Sequence, residues 1–250
     1  MSSLSISLIA FAFVFGGAMV GMALRSILPP GHLDGDSKDV VKLGMGLVAT
    51  LAALVLGLLT ASAKSSLDIQ NTELTEMSSK IVLLDRVLAH YGPDAQDARI
   101  QLRRGIVSTL NLAAPIDEAH ASRLEPPADR EGLYDTIEKL SSTNDEQRFA
   151  KSQALSLLMS LGQTRWLIME QQVGAVPVPL LLVLVFWLSI IFTSFGLFAP
   201  RNITVVISLL VSALSVSGAI FLILEMYSPY TGLIRVSTAP LREALTHLGQ

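Results

Sequence analysis

The chain has 250 residues, 51% of them hydrophobic and only 16% charged, with a mean hydropathy of +0.54 and a formal net charge of −3. That balance is too apolar for an ordinary soluble domain, and with no basic patch interleaved with aromatics it excludes a nucleic-acid-binding surface. The absence of cysteine excludes disulfides, cysteine-ligated zinc and thiol chemistry.

The apolar excess falls in four runs, residues 6–28, 40–63, 178–199 and 203–224. Each approaches the roughly 20 residues that a helix needs to cross about 30 Å of hydrocarbon. In the first run, Met1 to Ser5 carries no positive charge and the apolar stretch is longer than a signal peptide's core, so it reads as a retained helix. Pro29, Pro30 and Gly31 stop it after Arg25, because proline removes a backbone donor and pushes the preceding residue out of the α region. A polar turn, His32 to Asp39, leads to the second run.

From Lys64 that second helix turns polar but meets no proline or glycine before Gly92, so it is expected to leave the membrane unbroken. Here Leu67, Leu74, Ile81 and Leu88 recur every seven residues, and Met77, Leu84 and Tyr91 follow the last three at a spacing of three. This is an a/d seam that needs a partner helix. After Gly92 and Pro93, Asp94 followed by Asp97 predicts an N-cap for a helix running to about Ala114. Residues 115–130 have no periodicity and read as a surface loop.

Two further helices are predicted, a short one over 131–140 and a long one starting at Thr143. Glu146 stands three residues on from Thr143, at capping-box spacing. The long helix offers Phe149, Ala154, Leu157, Leu158, Leu161 and Ile168 to the seam. Gly174, Pro177 and Pro179 mark re-entry into the membrane, and Pro200, Arg201 and Asn202 form a turn tight enough to make the third and fourth runs antiparallel neighbours. The tail, with Pro229, Gly232 and Pro240, predicts a mostly extended segment and a last helical turn or two around 241–248.

The fold expected is therefore an all-α integral membrane protein. One transmembrane helix pair lies within 1–63, a helical extramembrane domain spans 64–174, a second pair lies within 175–227, and 228–250 is a C-terminal tail. Four crossings place both termini and the middle domain on one side. Fourteen of the eighteen lysines and arginines fall there, against Arg25, Lys38, Lys42 and Arg201 on the other, which points to the cytoplasm.

In the second run Gly46, Thr50, Ala53, Gly57 and Thr60 recur every three or four residues, opposed by Leu47, Leu51, Leu54 and Leu58. Such a stripe either lets helix backbones approach closely, as Gly17 and Gly21 would also do at GxxxG spacing, or lines a pore in an oligomer. Ser208, Ser212, Ser215 and Ala219 form a comparable stripe in the fourth run. Glu225 stands at the membrane boundary, either bonded to tail amides or a nearby arginine or serving coupling and gating. His32, Asp34, Asp36 and Asp39 match no calcium-loop spacing, and no GxSxG, HExxH or GxxxxGKS/T pattern is present. Asp85 and Arg86 are expected to be solvated or paired across helices, and Tyr91, Trp166 and Trp187 to pack. No enzyme, cofactor or metal site is expected.

Four segments, GLVATLAALVLGLLTASAKSSLD (Gly46 to Asp68), LDRVLAHYGP (Leu84 to Pro93), PLLLVLVFWLSIIFTSFGLFAPRN (Pro179 to Asn202) and FLILEMYSPYTGLIRVSTAPLREAL (Phe221 to Leu245), resemble a bacterial membrane family of unknown function whose domain is labelled bestrophin-like. The resemblance implies a pentameric chloride-type channel in the bacterial inner membrane, in which two helix pairs flank a cytosolic helical domain and the second helix lines the pore. That helix has no aromatic residue here, and no run of acids follows the fourth, so aromatic constriction and calcium gating are not carried over. The expected function is an oligomeric ion channel, with the bilayer, further copies of the chain and a small inorganic ion as partners. The alternative is a non-transporting scaffold or sensor whose middle domain binds a partner.

Overall fold

In a computed structural model of the protein, residues 2–29, 35–113, 129–171, 177–227, 232–234 and 236–249 are described. Among them the chain forms eight α-helices and no strand: α1 Ser3–Leu24, α2 Gly35–Tyr91, α3 Gln96–Ala113, α4 Asp129–Glu138, α5 Asp145–Gln171, α6 Val178–Phe198, α7 Ile203–Met226 and α8 Ala239–His247. His32, Asp34, the expected loop at 115–128, Gly174 and Pro229 lie outside the described residues. Two compact units result, one comprising Met1–Leu67 with Gly174–Arg235, the other Asp68–Val173 with Val236–Gln250.

The first unit holds the four helices that are long and apolar enough to cross a membrane. Their ends are set locally. Ser2 caps α1 by accepting from the Ser5 amide at 3.2 Å, and Asn202 caps α7 by accepting from the Val205 amide at 2.9 Å. Pro179 sits in the first turn of α6, where a backbone N–H is not required. The core gathers Val14 and Ala18 from α1, Ala52, Leu59 and Ala63 from α2, Leu184 and Ile191 from α6, and Ala213 and Ile220 from α7.

α1 packs on α6 and α7, and its crossing with α6 is backbone against backbone. A methyl group at Gly17 would lie 2.8 Å from both the Ser189 carbonyl oxygen and Thr193 Oγ1. At Gly21 it would overlap the Thr193 carbonyl, and at Gly196 the Ala18 carbonyl. The GxxxG spacing of α1 thus meets a third glycine on α6. The same end of this crossing is tied by two arginines, since Arg25 donates to the Ala199 carbonyl and Arg201 to the Met22 carbonyl. Each meets a carbonyl at a helix C-terminus that has no intrahelical donor.

In the second unit the seam is buried. Leu74, Ile81, Leu84, Leu88 and Tyr91 of α2 lie in the core, with Met77 half-buried, while Leu67, also half-buried, falls in the first unit. Its partner is α5, running the opposite way: Gln147 Nε2 donates to the Tyr91 carbonyl at 3.3 Å, and Lys80 Nζ to Thr164 Oγ1 at 3.1 Å. Phe149 is not on the packed face, being 71% exposed. At roughly 100° per residue it falls well away from the line of Ala150, Ala154 and Leu161. The α5 cap is also displaced by one residue. Asn144, not Thr143, accepts from the Gln147 amide at 2.7 Å, while Gln147 Oε1 accepts from Thr143. Asparagine ranks above threonine as an N-cap, in keeping with this choice.

α2 gives way to α3 through Gly92, whose φ of 119° favours glycine, and a 3-10 turn at Pro93–Ala95 that absorbs Asp94. α3 packs on α4 and α8, and α4 on α5. The tail helix is longer than a turn or two, and it buries Leu241 and Ala244. Asp85, 2% exposed, anchors this arrangement: Arg99 Nε and Nη2 donate to its two oxygens at 2.8 and 2.9 Å, and the Gly249 amide to Oδ2 at 3.2 Å. Burial pushes the Asp85 carboxyl up, but the bonds from Arg99 and Gly249 and the charges of Arg99 and Arg86 outweigh it and hold it below the ordinary carboxylate range.

Candidate functional site

The span of α2 presents three faces at roughly 120° to one another, given about 100° per residue. Met45, Val48, Ala52, Val55, Leu59 and Ala63 form the packed one, buried or half-buried in the core of the first unit. Gly46, Thr50, Ala53, Gly57 and Thr60 form the second, and every one of them is exposed. Leu47, Leu51, Leu54 and Leu58 form the third, exposed as well. The small stripe and the leucines are therefore neighbouring outward faces, not opposite ones; the packing is done by the face between them on the far side.

A methyl group at Gly46 or Gly57 would meet nothing within 4 Å beyond its own helix, so the small stripe serves no close helix contact within the chain. Its two hydroxyls are committed as donors to the helix itself: Thr50 Oγ1 donates to the Gly46 carbonyl at 2.9 Å and Thr60 Oγ1 to the Leu56 carbonyl at 2.8 Å. What they turn outward is oxygen lone pairs on a surface of low bulk. The α7 stripe behaves alike. Ser208, Ser212 and Ser215 are exposed, and Ser215 Oγ returns to the Val211 carbonyl at 2.8 Å.

Glu225 lies in the last turn of α7 and is 6% exposed. Its Oε2 accepts from the Leu233 amide, so the carboxylate holds the segment that follows α7. Two residues on, Tyr227 donates its hydroxyl to Ser62 Oγ at 2.9 Å, which fixes the end of α7 to α2 two residues past Thr60. Glu225 thus lies at the level where the stripe ends. Trp187 packs half-buried against the core of the first unit, whereas Trp166, 68% exposed, does not take the packed position expected of it.

Sequence reasoning singled out the stripe and Glu225 but missed the packed face of α2, whose Met45, Val48 and Val55 look no different from lipid-facing residues. It also missed the Tyr227–Ser62 bond, which joins side chains far apart in the chain. Among the described residues no three histidine or acidic groups gather as they would around a metal ion.

No curated protein and no solved structure matches the chain. Residues 12–241 match the family model described as the Bestrophin-like domain, and the chain, with its four long apolar helices, belongs to that family.

Proposed function

We propose that the protein is an oligomeric ion channel of the bacterial inner membrane, with α2 lining the pore. The observation that carries the reading is the bare face of α2. Gly46, Thr50, Ala53, Gly57 and Thr60 lie along the helix with nothing against them, offering hydroxyl and small surfaces where an ion path needs room and weak polarity. One subunit of four spans is too small to enclose water, so the path requires copies of α2 around an axis. Family membership supports five copies, a small inorganic anion as the conducted species, and two helix pairs flanking a middle domain that lies in the cytoplasm with both termini. The reading involves no chemical catalysis and no cofactor.

The absence of native cysteine makes a direct test available. Thr50→Cys, Ala53→Cys, Gly57→Cys and, on the other outward face, Leu54→Cys are each reconstituted in liposomes and treated with a membrane-impermeant thiol reagent. The reading expects anion flux that falls at least tenfold on modification of the stripe positions and is unchanged at Leu54→Cys. Liposomes without flux, or stripe positions that never react, would sink it. A second reading, a non-transporting scaffold whose middle domain binds a partner, draws on the exposed Phe149, Met159 and Trp166 of α5, and it expects electrically silent bilayers.

A further inference from the structure

Along α5, Ala154, Leu158 and Leu161 follow one another at helical spacing, and the next position of that line, four residues on, is Arg165. Ala154 is fully buried and Leu158 and Leu161 half-buried, so the arginine is turned to the side on which the helix packs. Its Nη1 is sealed from solvent and meets no hydrogen-bond acceptor, and among the described residues no carboxylate pairs with it. The contrast with Arg99 of the same unit is direct. Asp85 answers both donor arms of Arg99 and raises its pKa, whereas burial alone acts on Arg165 and lowers it. Neutral groups of the same unit that also lack a partner, such as Gln70 Oε1 and Tyr91 Oη, are tolerable by comparison. A guanidinium does not shed its proton in a protein, and a cation with one donor sealed and no counter-charge beside it is expensive.

We infer that Arg165 binds a phosphate-type oxyanion supplied from outside the chain. The fork of a guanidinium offers parallel N–H donors matched to two oxygens of one phosphate group. Arg165 is only half-buried as a residue, so an anion reaches it from solvent while Nη1 faces the sealed side. The group can arrive as free phosphate or as a phospholipid headgroup, and the site does not depend on ion conduction by α2.

The test uses the full chain in phosphate-free maltoside micelles, with the thermal unfolding midpoint followed as sodium phosphate replaces sodium chloride at constant ionic strength. A saturable rise on the order of 5 °C is expected at phosphate well above its dissociation constant, and Arg165→Gln loses it. Arg165→Met, which keeps the apolar stem without the charge, is expected to unfold no lower than the native chain when phosphate is absent. In nanodiscs of anionic phospholipid, loss of the response to free phosphate with the midpoint already raised assigns the site to a headgroup, and persistence of the response assigns it to free phosphate. No saturable rise in the native chain, an equal rise in Arg165→Gln, or an Arg165→Met chain that unfolds far below the native one without phosphate would each overturn the inference, the last because it would mean that the charge is met within the chain.

Discussion

Two small-residue faces in the first unit carry nearly the same sequence signature and have opposite surroundings. On α1, Gly17 and Gly21 stand four apart and are pressed against α6, where a methyl group at either would run into Ser189, Thr193 or Leu197. On α2, Gly46, Thr50, Ala53 and Gly57 repeat the spacing, and a methyl group at either glycine would meet only open space. The difference teaches that small residues at helical spacing identify a face meant for close approach or for room, and that only the neighbouring backbone decides which. The α1 face completes the subunit. The α2 face is left over after the subunit is complete, which is why it is the candidate for a function shared between copies.

The largest expected effect comes from attacking the first face. Gly21→Leu or Gly196→Leu forces two backbones apart and is expected to cost on the order of 3 kcal/mol or more, read as loss of monodisperse protein in detergent. If Gly57→Leu unfolds the chain equally, the comparison breaks. A control outside both faces is Asp85→Ala, which leaves Arg99 buried without its partner and is expected to cost roughly 3 kcal/mol. Because the folded-state carboxyl of Asp85 is held below its unfolded value, its contribution is fully present above the ordinary carboxylate pKa near 4 and is lost as pH falls through the lowered folded value. Acid unfolding followed by circular dichroism should therefore begin at higher pH in Asp85→Ala than in the native chain, with flux at neutral pH unchanged.

A smaller effect is expected at the tied end of the α1–α6 crossing. Arg201→Gln gives up a charged donor to the Met22 carbonyl, worth about 1–2 kcal/mol, and a thermal midpoint lowered by a few degrees would register it. The smallest effect is the sharpest for the comparison. Gly46→Ala and Gly57→Ala place a methyl group in open space on a helix, where alanine is favoured over glycine by up to about 1 kcal/mol. The isolated subunit is expected to be unchanged or slightly more stable. Destabilisation confined to the oligomer would mean that a neighbouring copy, not water, fills that face.

Much of this was readable in advance, and the failures have a common cause. The four runs, the unbroken second helix and the a/d seam follow from hydropathy and heptad spacing, which are local properties of the chain. Residues 12–241 carry enough of the family pattern for membership to be stated. Which face of α2 packs was not readable, because all three of its faces are apolar and a helix in lipid shows no contrast between inside and outside. The partner of Gly17 and Gly21 was equally hidden, since Gly196 looks ordinary until α6 is laid beside α1. Arg25 and Arg201 read as orientation charges, and their carbonyl partners emerge only from a fold that joins the two ends of the sequence. Phe149 failed for a simpler reason: it is apolar but out of phase with Ala150 and Ala154.

The absence of any break in α2 over its 57 residues has a torsional consequence. A continuous helix keeps a fixed angular register, so Ser62, held by Tyr227, and the stripe around Thr50, both in the first unit, are set on a single dial. Adding one residue between Thr60 and Ser62 would turn one against the other by about 100°, and adding four would turn it by only about 40°. Whatever holds Ser62 in place therefore also sets the direction in which Gly46, Thr50, Ala53, Gly57 and Thr60 point.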